Sequence, residues 1–299
     1  MEMPVTVVMV NYRSSEYVIS CVKSLATEPI ARIIILENGS GEDEWRSLQN
    51  VPSVAACDVQ LIRSLENLGF GAGVNLAASC IESDYGGLIW VLNPDTVVTD
   101  GCAATLAKEI TDGELDIVSP VIATGSRSSP TTWFVGGDID HTNGSTRHWD
   151  YGQPLPTNSG VRATDFMTGA APMMTFATWQ RAGGFKESLF LYWEDADFSL
   201  RAKAIGLKMG VQLDALIWHE EGGSGEGNGR SAVYYYYMQK NRLIVESEYS
   251  SIWNLVAGKG CMETIRLLAR PLREKEGRLS KLLSSVRGLA AGMRPSHRL

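Results

Sequence analysis

Continuous apolar runs alternate with helix-like segments over the first hundred residues. Runs rich in β-branched residues lie within residues 5–12, 31–40, 59–81 and 85–98. Such runs are typical of strands that are buried on both faces. After the first run, residues 16–26 have the spacing of an amphipathic helix, and Ser14 and Ser15 precede it as candidate N-caps. The alternation predicts a parallel sheet with right-handed helical crossovers.

The pattern is less regular between residues 101 and 160, and residues 165–185 then alternate apolar and small residues before a short helix. A helix is predicted over 194–206, with Asp195 near its start and Gly206 at its C-cap, and the strand that follows ends at His219. Further segments are a flexible loop over 222–229 and helices over 231–246 and 260–299. The expected fold is α/β, with a mostly parallel central sheet flanked by helices and a helical C-terminal extension.

Composition agrees with a soluble globular protein. Of 299 residues, 44% are hydrophobic and 20% are charged, and no run approaches the roughly 18 apolar residues of a spanning helix. No basic stretch precedes the first apolar run, so we expect no signal peptide. The five cysteines are an odd number without a close-spaced pair, which favours reduced thiols in the cytoplasm over a disulfide framework or a zinc knuckle.

Charge is distributed unevenly along the chain. The net charge is −7, but residues 260–299 contain nine Arg and Lys against three Glu, giving +6, so the remainder carries −13. The acidic body argues against nucleic acid as the main partner. The basic tail has leucine spacing that suits an amphipathic helix. Such a helix either docks on an anionic membrane surface or packs on the domain or on a partner subunit.

Three carboxylates follow an apolar, aromatic run in the segment LYWEDADFSLR. They are Glu194, Asp195 and Asp197. Asp195 could cap the predicted helix, and Asp197 could pair with Arg201 at i,i+4. One acid is then left without a structural task. A carboxylate that is partly desolvated beside aromatic rings has a raised proton affinity, which suits a general base.

Three of the predicted strands end in polar residues. In parallel α/β sheets, ligands bind at these carboxyl ends of the strands. These ends are Asn11–Tyr12, Glu37–Asn38 and Asn93–Asp95. A carboxylate at a strand end can accept hydrogen bonds from ribose hydroxyls, although an exposed turn acid is the alternative interpretation. The acid of NPDT can hold Mg²⁺ or Mn²⁺ together with substrate phosphates, or it can simply form an Asp turn.

Two further features have both a functional and a structural interpretation. Gly69, Gly71 and Gly73 are spaced G-x-G-x-G after the third strand, so they do not match the dinucleotide-binding fingerprint. They are compatible with close approach to a ligand or with a tight turn. His219, at the end of the last predicted strand, is either a further metal ligand or a structural histidine.

In this order, the segments resemble the family 2 inverting glycosyltransferases of the GT-A fold, and most closely the bacterial rhamnosyltransferase-like branch. The resemblance covers roughly residues 5–245. It rests on VVMVNY, LENGS, ENLGFGAGVN, LNPDT, GAAPMM, GGFKESLFLYWEDADFSLR and IWH. It implies a GT-A domain over 1–245, divided into a nucleotide-binding half (1–100) and an acceptor and catalytic half (101–245). A basic helical extension then covers 246–299.

The resemblance also implies roles for matching positions. The base and ribose pocket would be formed by Val10, Asn11, Tyr12, Glu37, Asn67, Gly71, Asn75 and Asn93. Asp95 would bind Mg²⁺ or Mn²⁺, and His219 would be an additional metal or diphosphate contact. Asn93 stands where many relatives have the first Asp of a D-x-D motif.

The catalytic roles are assigned by the same resemblance. Asp195 would be the general base with Glu194 beside it, while Gly169 and Trp193 would shape the sugar and acceptor region. No catalytic role is assigned to residues 240–242. The hypothesis requires Asp95 and Asp195 to fold to opposite sides of one cleft.

The implied reaction moves a sugar from a nucleoside diphosphate donor to a hydroxyl of a glycan or lipid-linked saccharide in cell-surface polysaccharide synthesis. L-rhamnose from dTDP-rhamnose is the leading donor, and the resemblance alone indicates it. Alternatives are a UDP- or GDP-hexose donor, or a non-catalytic nucleotide- or carbohydrate-binding protein of the same fold. The expected location is the cytoplasm or the inner face of the cell membrane, and a homodimer is a further candidate assembly.

Overall fold

The computed structural model describes residues 3–220 and 230–294. The loop predicted over 222–229 and the last five residues of the predicted C-terminal helix lie outside these ranges. The first part of the chain alternates strands and helices as expected: β1 (Val5–Asn11), α1 (Ser15–Ser24), β2 (Ile30–Asn38), α2 (Glu42–Leu48), β3 (Asp58–Ser64), α3 (Phe70–Ala78) and β4 (Leu88–Val91). A 3₁₀ turn, Val51–Ser53, precedes β3.

The second part contains shorter strands and the segment that carries the three acids. Its elements are β5 (Thr96–Val98), α4 (Cys102–Asp112), β6 (Ile117–Ser126), β7 (Ser129–Phe134), β8 (Gly137–Asp140), β9 (Ser145–His148), β10 (Val161–Ala163), β11 (Met173–Thr175), α5 (Phe176–Ala182), α6 (Glu194–Ala204) and β12 (Met209–His219). The C-terminal helices are α7 (Ala232–Glu246), α8 (Ile252–Val256), α9 (Cys261–Ala269) and α10 (Arg278–Gly292). Short 3₁₀ turns cover Glu187–Leu189 and Arg270–Arg273.

The main sheet has the strand order β10-β12-β6-β11-β4-β1-β2-β3, with β5 added on β12 and β7 on β6. Strands β3, β2, β1, β4, β6 and β12 run in the same direction, and β11 and β10 run against them. The expected mostly parallel central sheet flanked by helices is confirmed. Strands β8 and β9 form a separate hairpin.

The core lies on both faces of the parallel strands, as their apolar runs predict. All seven residues of β1 are buried, and β4 is buried at all four positions. Trp90 of β4 is fully buried, and its indole N–H donates to the carbonyl of Ala171 at 3.1 Å. Burial on two sides explains why these strands read as continuous rather than alternating apolar segments.

The helices predicted over 16–26, 194–206 and 231–246 match α1, α6 and α7 to within two residues. The segment predicted to be helical over 260–299 is divided into α9 and α10, and two caps differ in detail. α6 begins at Glu194, and its N-cap is Trp193 rather than Asp195. Gly206, with φ +80°, follows the C-cap and ends the helix in the left-handed conformation that glycine favours. At α1 the Ser14 side chain does not cap. Instead, Ser14 donates its backbone N–H to Asn11 Oδ1 at 3.2 Å.

The C-terminal extension folds back onto α7. Gly288 and Gly292 of α10 lie against the backbone of Tyr236 and Lys240, and a Cβ at Gly288 would come within 2.1 Å of the Tyr236 carbonyl oxygen. α7 ends at Glu246, next to the predicted boundary at residue 245. The division into two domains stays a prediction. Within residues 3–220 and 230–294, no helix is long and apolar enough to cross a membrane.

Candidate active site

The carboxyl ends of the parallel strands meet the start of the antiparallel strand β11 at one edge of the sheet. Residues 169–172 lead into β11 along this edge, beside the residues that follow β4. Asn93 donates its backbone N–H to the carbonyl of Ala170 at 2.8 Å, and Val91 donates to the carbonyl of Pro172 at 3.0 Å. The Asn93–Asp95 turn is therefore held directly against the 169–172 segment.

The same segment contacts the acids at the start of α6. Gly169 directs its backbone N–H at Asp195 Oδ2, with an N–O distance of 3.4 Å, and Ala196 N donates to Asp195 Oδ1 at 2.8 Å. An added Cβ at Gly169 would lie 3.6 Å from the Asp195 Cβ and 3.1 Å from a ring carbon of Phe70. Asp195 and the Asp95 turn thus border one short stretch of backbone, although a hundred positions separate them.

The two adjacent acids of α6 have different environments. Glu194 is only 6% exposed, and its Oε2 has no hydrogen-bond partner within the described ranges. Burial, reinforced by the charge of Asp195, raises the pKa of Glu194 to about 8. Asp195 is partly exposed, and desolvation raises its pKa to about 6 against the effect of its backbone hydrogen bonds. Burial therefore favours the protonated form of both acids, and more strongly for the more deeply buried Glu194, a division suited to two chemical roles.

Asp197 has a structural partner, as its spacing predicted. Arg201 donates to its carboxylate at 2.7 Å, and the same guanidinium donates to the carbonyl of Gly184 at 2.7 Å. The third acid of the segment is thus used to fix α6 on the preceding loop.

Asp95 and His219 form a second polar centre at the edge. The pairing of β5 with β12 places Thr96 opposite His219, and the His219 Nε2 to Asp95 Oδ1 distance is 3.4 Å. The ring of Trp133 stacks on the imidazole with a centroid separation of 4.7 Å. Burial raises the pKa of the Asp95 carboxyl, while the nearby imidazole acts in the opposite direction.

The donor set around Asp95 suits a divalent cation that also binds phosphate. Among the residues described, no three His, Cys, Asp or Glu side chains are grouped to hold a metal. Mg²⁺ and Mn²⁺, however, are usually held by one or two carboxylates, and phosphate oxygens complete their coordination. Asn93 Oδ1 is buried without a partner within the described ranges, and the Asp95 carboxylate faces His219. These groups fit a metal–diphosphate site.

Asn11 and Glu37 lie side by side on β1 and β2. They are register partners, and both side chains are fully buried. Asn11 donates to the Glu44 carboxylate at 3.0 Å. Glu37 accepts from the backbone N–H of Ser40, and its Oε2 lies 3.7 Å from Arg63 Nε without a hydrogen bond in the described structure. Glu37 thus retains an unused acceptor beneath the expected nucleotide pocket.

The other predicted pocket residues differ in their exposure and in the hydrogen bonds that their side chains already make. Tyr12 is 41% exposed, whereas Val10 is buried and packs against Gly73 of α3. Asn67 Oδ1 accepts from Gly69 N at 2.9 Å. Asn75 binds both the N–H and the carbonyl of Phe185, at 2.9 and 2.8 Å. The two asparagine side chains therefore hold loop backbone near the expected pocket.

The loop before the acids is held in an uncommon backbone conformation. Phe190, Tyr192 and Trp193 have φ values of 65°, 66° and 74°, in a region that residues with side chains rarely occupy. The Phe190 carbonyl accepts from Phe70 N at 2.7 Å, and a Cβ at Gly69 would lie 2.2 Å from that carbonyl oxygen. Gly69, the first glycine of the ENLGFGAG turn, is thus required because the backbone of this loop passes so close to it. Strain of this kind is concentrated at functional sites.

Asn241 of α7 holds this loop and was missed by the sequence reasoning. Its side-chain amide donates to the carbonyls of Leu189, Leu191 and Tyr192 at 2.7, 2.9 and 2.8 Å. The residue is fully buried. In the sequence, Asn241 stands out only as a polar residue on an otherwise apolar helix face. Its partners lie about fifty positions away, so no spacing pattern reveals them.

Arg242, the next residue, is also fully buried and binds a different part of the chain. It donates to the carbonyls of Asn143 and Gly144 at 2.7 Å each, and to that of Gly260 at 3.1 Å. Arg242 thus joins the β8–β9 hairpin to the C-terminal extension.

Comparison with solved structures supports the fold. A crystal structure of GalNAc-T7 with UDP, GalNAc and Mn²⁺ matches with a TM-score of 0.59 and 14% identity, over 88% of this chain and 54% of that one. The present chain thus spans about half the length of GalNAc-T7. S. aureus TarS 1-349 in complex with UDP-GlcNAc matches with a TM-score of 0.57 and 12% identity, over 99% of this chain and 83% of that one. At these identities the likeness shows the fold alone.

Comparison at the sequence level identifies the family. No curated protein matches the chain. The model of glycosyl transferase family 2 matches residues 6–177, which is more than half of the 299 residues. The matched segment contains the Asn11, Glu37 and Asp95 positions and ends inside α5. The chain therefore belongs to glycosyl transferase family 2.

Proposed function

We propose that this member of the family is an inverting glycosyltransferase in which Asp195 is the general base and Asp95 binds the metal–diphosphate group. The proposal rests on the observation that Asp195 and the Asp95 turn both contact residues 169–170. The Asp95 turn is bound to Ala170, and the adjacent Gly169 contacts the Asp195 carboxylate. A donor whose diphosphate lies at Asp95 can thus present its sugar to an acceptor at Asp195.

In the proposed reaction, the oxygen of an acceptor hydroxyl attacks the anomeric carbon and loses its proton to Asp195. The bond from the anomeric carbon to the diphosphate oxygen breaks on the opposite face, so one displacement inverts the configuration. When Asp95 and His219 hold Mg²⁺ or Mn²⁺, the negative charge that grows on the leaving diphosphate is stabilised by the cation.

The environments of the two adjacent acids support this division of roles. Asp195 has a pKa raised to about 6, so it is ionised at neutral pH but more basic than an ordinary aspartate. Glu194, with a pKa raised to about 8, favours the protonated form beside it. A protonated Glu194 limits the negative charge at the base and can donate a hydrogen bond.

The polar groups at the ends of β1 and β2 support nucleotide binding there. We propose that Tyr12 contacts the base and that the free oxygen of Glu37 accepts a hydrogen bond from the ribose. Val10, Asn11, Asn67, Gly71, Asn75 and Asn93 would complete the pocket, and Gly169 and Trp193 would border the sugar and the acceptor.

L-rhamnose from dTDP-rhamnose is the proposed donor, on the resemblance of the sequence motifs. A UDP-hexose is the second candidate, because GalNAc-T7 and TarS are similar in fold and their structures contain UDP or UDP-GlcNAc. The proposed acceptor is a glycan or lipid-linked saccharide for cell-surface polysaccharide synthesis. The proposed location is the cytoplasm, and the five free cysteines support a reducing compartment.

A thermal-shift screen of nucleotide sugars with and without Mg²⁺ or Mn²⁺ tests the donor assignment. We expect stabilisation by dTDP-rhamnose and dTDP, at lower concentrations with metal than without it. Stabilisation by UDP-sugars alone would replace the rhamnose proposal.

Donor hydrolysis, with and without Mn²⁺, separates an enzyme from a binding protein of the same fold. Slow release of the nucleoside diphosphate that Asp195→Asn abolishes would support catalysis. Tight nucleotide binding without any release would favour the non-catalytic alternative.

A further inference from the structure

One face of α10 carries a continuous exposed apolar row, called here the apolar stripe. It consists of Leu279, Leu283, Val286, Ala290 and Met293. Successive spacings of four and three residues put these side chains on the same side of the helix. On the other side, Ser285 donates to the carbonyl of Leu267 in α9, and Gly288 and Gly292 lie against α7. Packing within the described chain therefore leaves the stripe uncovered.

Neighbouring elements expose further large apolar side chains. These are Trp253, Met262, Ile265 and Leu272. Trp253 is 76% exposed and Leu279 is 69% exposed. Single exposed apolar residues are ordinary, whereas several in one region of the chain are compatible with an interaction surface.

The charges beside the stripe are of one sign. Residues 278–294 contain four basic side chains and no Asp or Glu. Arg278, Arg287 and Arg294 are exposed. Two of the three acids of the extension are already engaged: Glu263 binds Arg266 through both oxygens at 2.7 Å, and Glu274 binds Lys281 at 3.3 Å.

A second copy of the chain is a poor partner for this surface. The stripe has the spacing of a coiled-coil seam, and in a coiled coil the flanking e and g positions set the pairing. Here the e positions are Ser280, Arg287 and Arg294, and the g positions are Leu282 and Leu289. A seam between two copies would therefore contain arginines without acidic partners.

We propose that the apolar stripe and its flanking arginines form a docking surface for an anionic membrane. The apolar side chains enter the boundary between headgroups and acyl chains, while the arginines bind lipid phosphates. This arrangement needs neither a lipid anchor nor a spanning helix. It adds a membrane partner to the proposed glycosyltransfer and accounts for the basic sign of the extension.

Vesicle flotation of the full chain tests the proposal. We expect binding to vesicles of equal parts phosphatidylglycerol and phosphatidylcholine, no binding to phosphatidylcholine alone, and release by high salt. The variant Arg287→Gln/Arg294→Gln should bind roughly 25-fold more weakly, since each basic side chain near such a surface contributes about fivefold.

The variant Leu283→Glu/Val286→Glu tests the apolar contribution, and both sites are exposed, so the fold should tolerate the change. It should lose flotation while it keeps nucleotide binding. Leu65→Glu is the matched control, because Leu65 is 87% exposed and lies far along the chain from the extension.

Equal flotation of all variants would overturn the proposal. Failure to bind vesicles, with a dimer in light scattering that Leu283→Glu/Val286→Glu dissociates, would instead assign the surface to a second copy. Flotation requires no turnover, so failure here leaves the proposed function standing.

Discussion

Removal of the Asn241 side-chain amide is expected to reduce catalysis although Asn241 lies outside the proposed pocket. The amide has two N–H groups and supports the carbonyls of Leu189, Leu191 and Tyr192. The loop that these carbonyls belong to leads directly into Glu194 and Asp195. The variants are Asn241→Ala, which removes the donors, and Asn241→Asp, which places carboxylate oxygens against the three carbonyls.

The size of the effect follows from the strain in the loop. Three residues with left-handed φ cost about 1–2 kcal/mol each, or roughly 3–6 kcal/mol together. Two buried hydrogen bonds contribute about 1–3 kcal/mol net. Their loss leaves much of the strain unsupported, and each 1.4 kcal/mol changes a population about tenfold. We therefore expect kcat to fall by about tenfold in Asn241→Ala and further in Asn241→Asp.

Steady-state kinetics and thermal unfolding together provide the assay. A displaced loop should lower kcat more than it raises KM for the donor. It should also change the pH dependence of kcat, because the burial that sets the pKa of Asp195 depends on the loop. Tm should fall by a few degrees, as expected for a loss of this size in a chain of this length.

Gln239→Ala is the matched control. Gln239 is also a fully buried amide of α7, but it donates to the carbonyl of Thr264 in the extension at 3.2 Å. This variant should lower Tm without changing kcat. If Asn241→Ala lowers Tm as Gln239→Ala does but retains wild-type kcat and pH profile, the assignment of Asn241 as a positioning residue is wrong.

Three further predictions concern the acids of the site. Asp195→Asn should lose at least about 10² in turnover with the donor still bound, the usual scale for removal of a general base; near-normal turnover would contradict that role. The raised pKa values of Glu194 (4.5 to about 8) and Asp195 (3.8 to about 6) mean that the folded state binds more protons between the ordinary and the raised values, so stability falls as pH rises through this window. Glu194→Gln should therefore raise Tm relative to wild type by an amount that grows up to about pH 8, and a constant difference would count against the raised value. Asp95→Asn should raise the Mn²⁺ concentration for half-maximal donor binding in calorimetry by at least the roughly 10–100-fold that loss of an outer-shell partner of a metal ligand costs; unchanged metal dependence would exclude Asp95 as a ligand.

The fold could be predicted because its main strands are buried on both faces. Residues 7–10, 33–36 and 88–91 are uninterrupted apolar runs, and each lies in a parallel strand of the central sheet. The pairing of Asp197 with Arg201 was also predictable, since it depends only on helical spacing within one segment. Local patterns are sufficient where the determining contacts are local or uniformly apolar.

The conformation of the loop before Glu194 could not be predicted in this way. Nothing in Phe190, Tyr192 or Trp193 favours positive φ, and the contacts that impose it come from Gly69 and Asn241, which are distant in sequence. Asn75 was expected to line the nucleotide pocket. In the structure its amide hydrogen-bonds both the N–H and the carbonyl of Phe185. In both cases, the sequence does not show which distant backbone groups the side chain will hydrogen-bond.

Two consecutive residues of α7 connect parts of the protein that are far apart in sequence. Asn241 binds the loop that precedes the acids, and Arg242 binds both the β8–β9 hairpin and Gly260 at the start of α9. Because an α-helix is nearly rigid, a shift of this turn of α7 would displace the loop before the acids, the β8–β9 hairpin and the start of α9 together. The loop before the acids and the C-terminal extension are consequently both anchored at adjacent residues of α7.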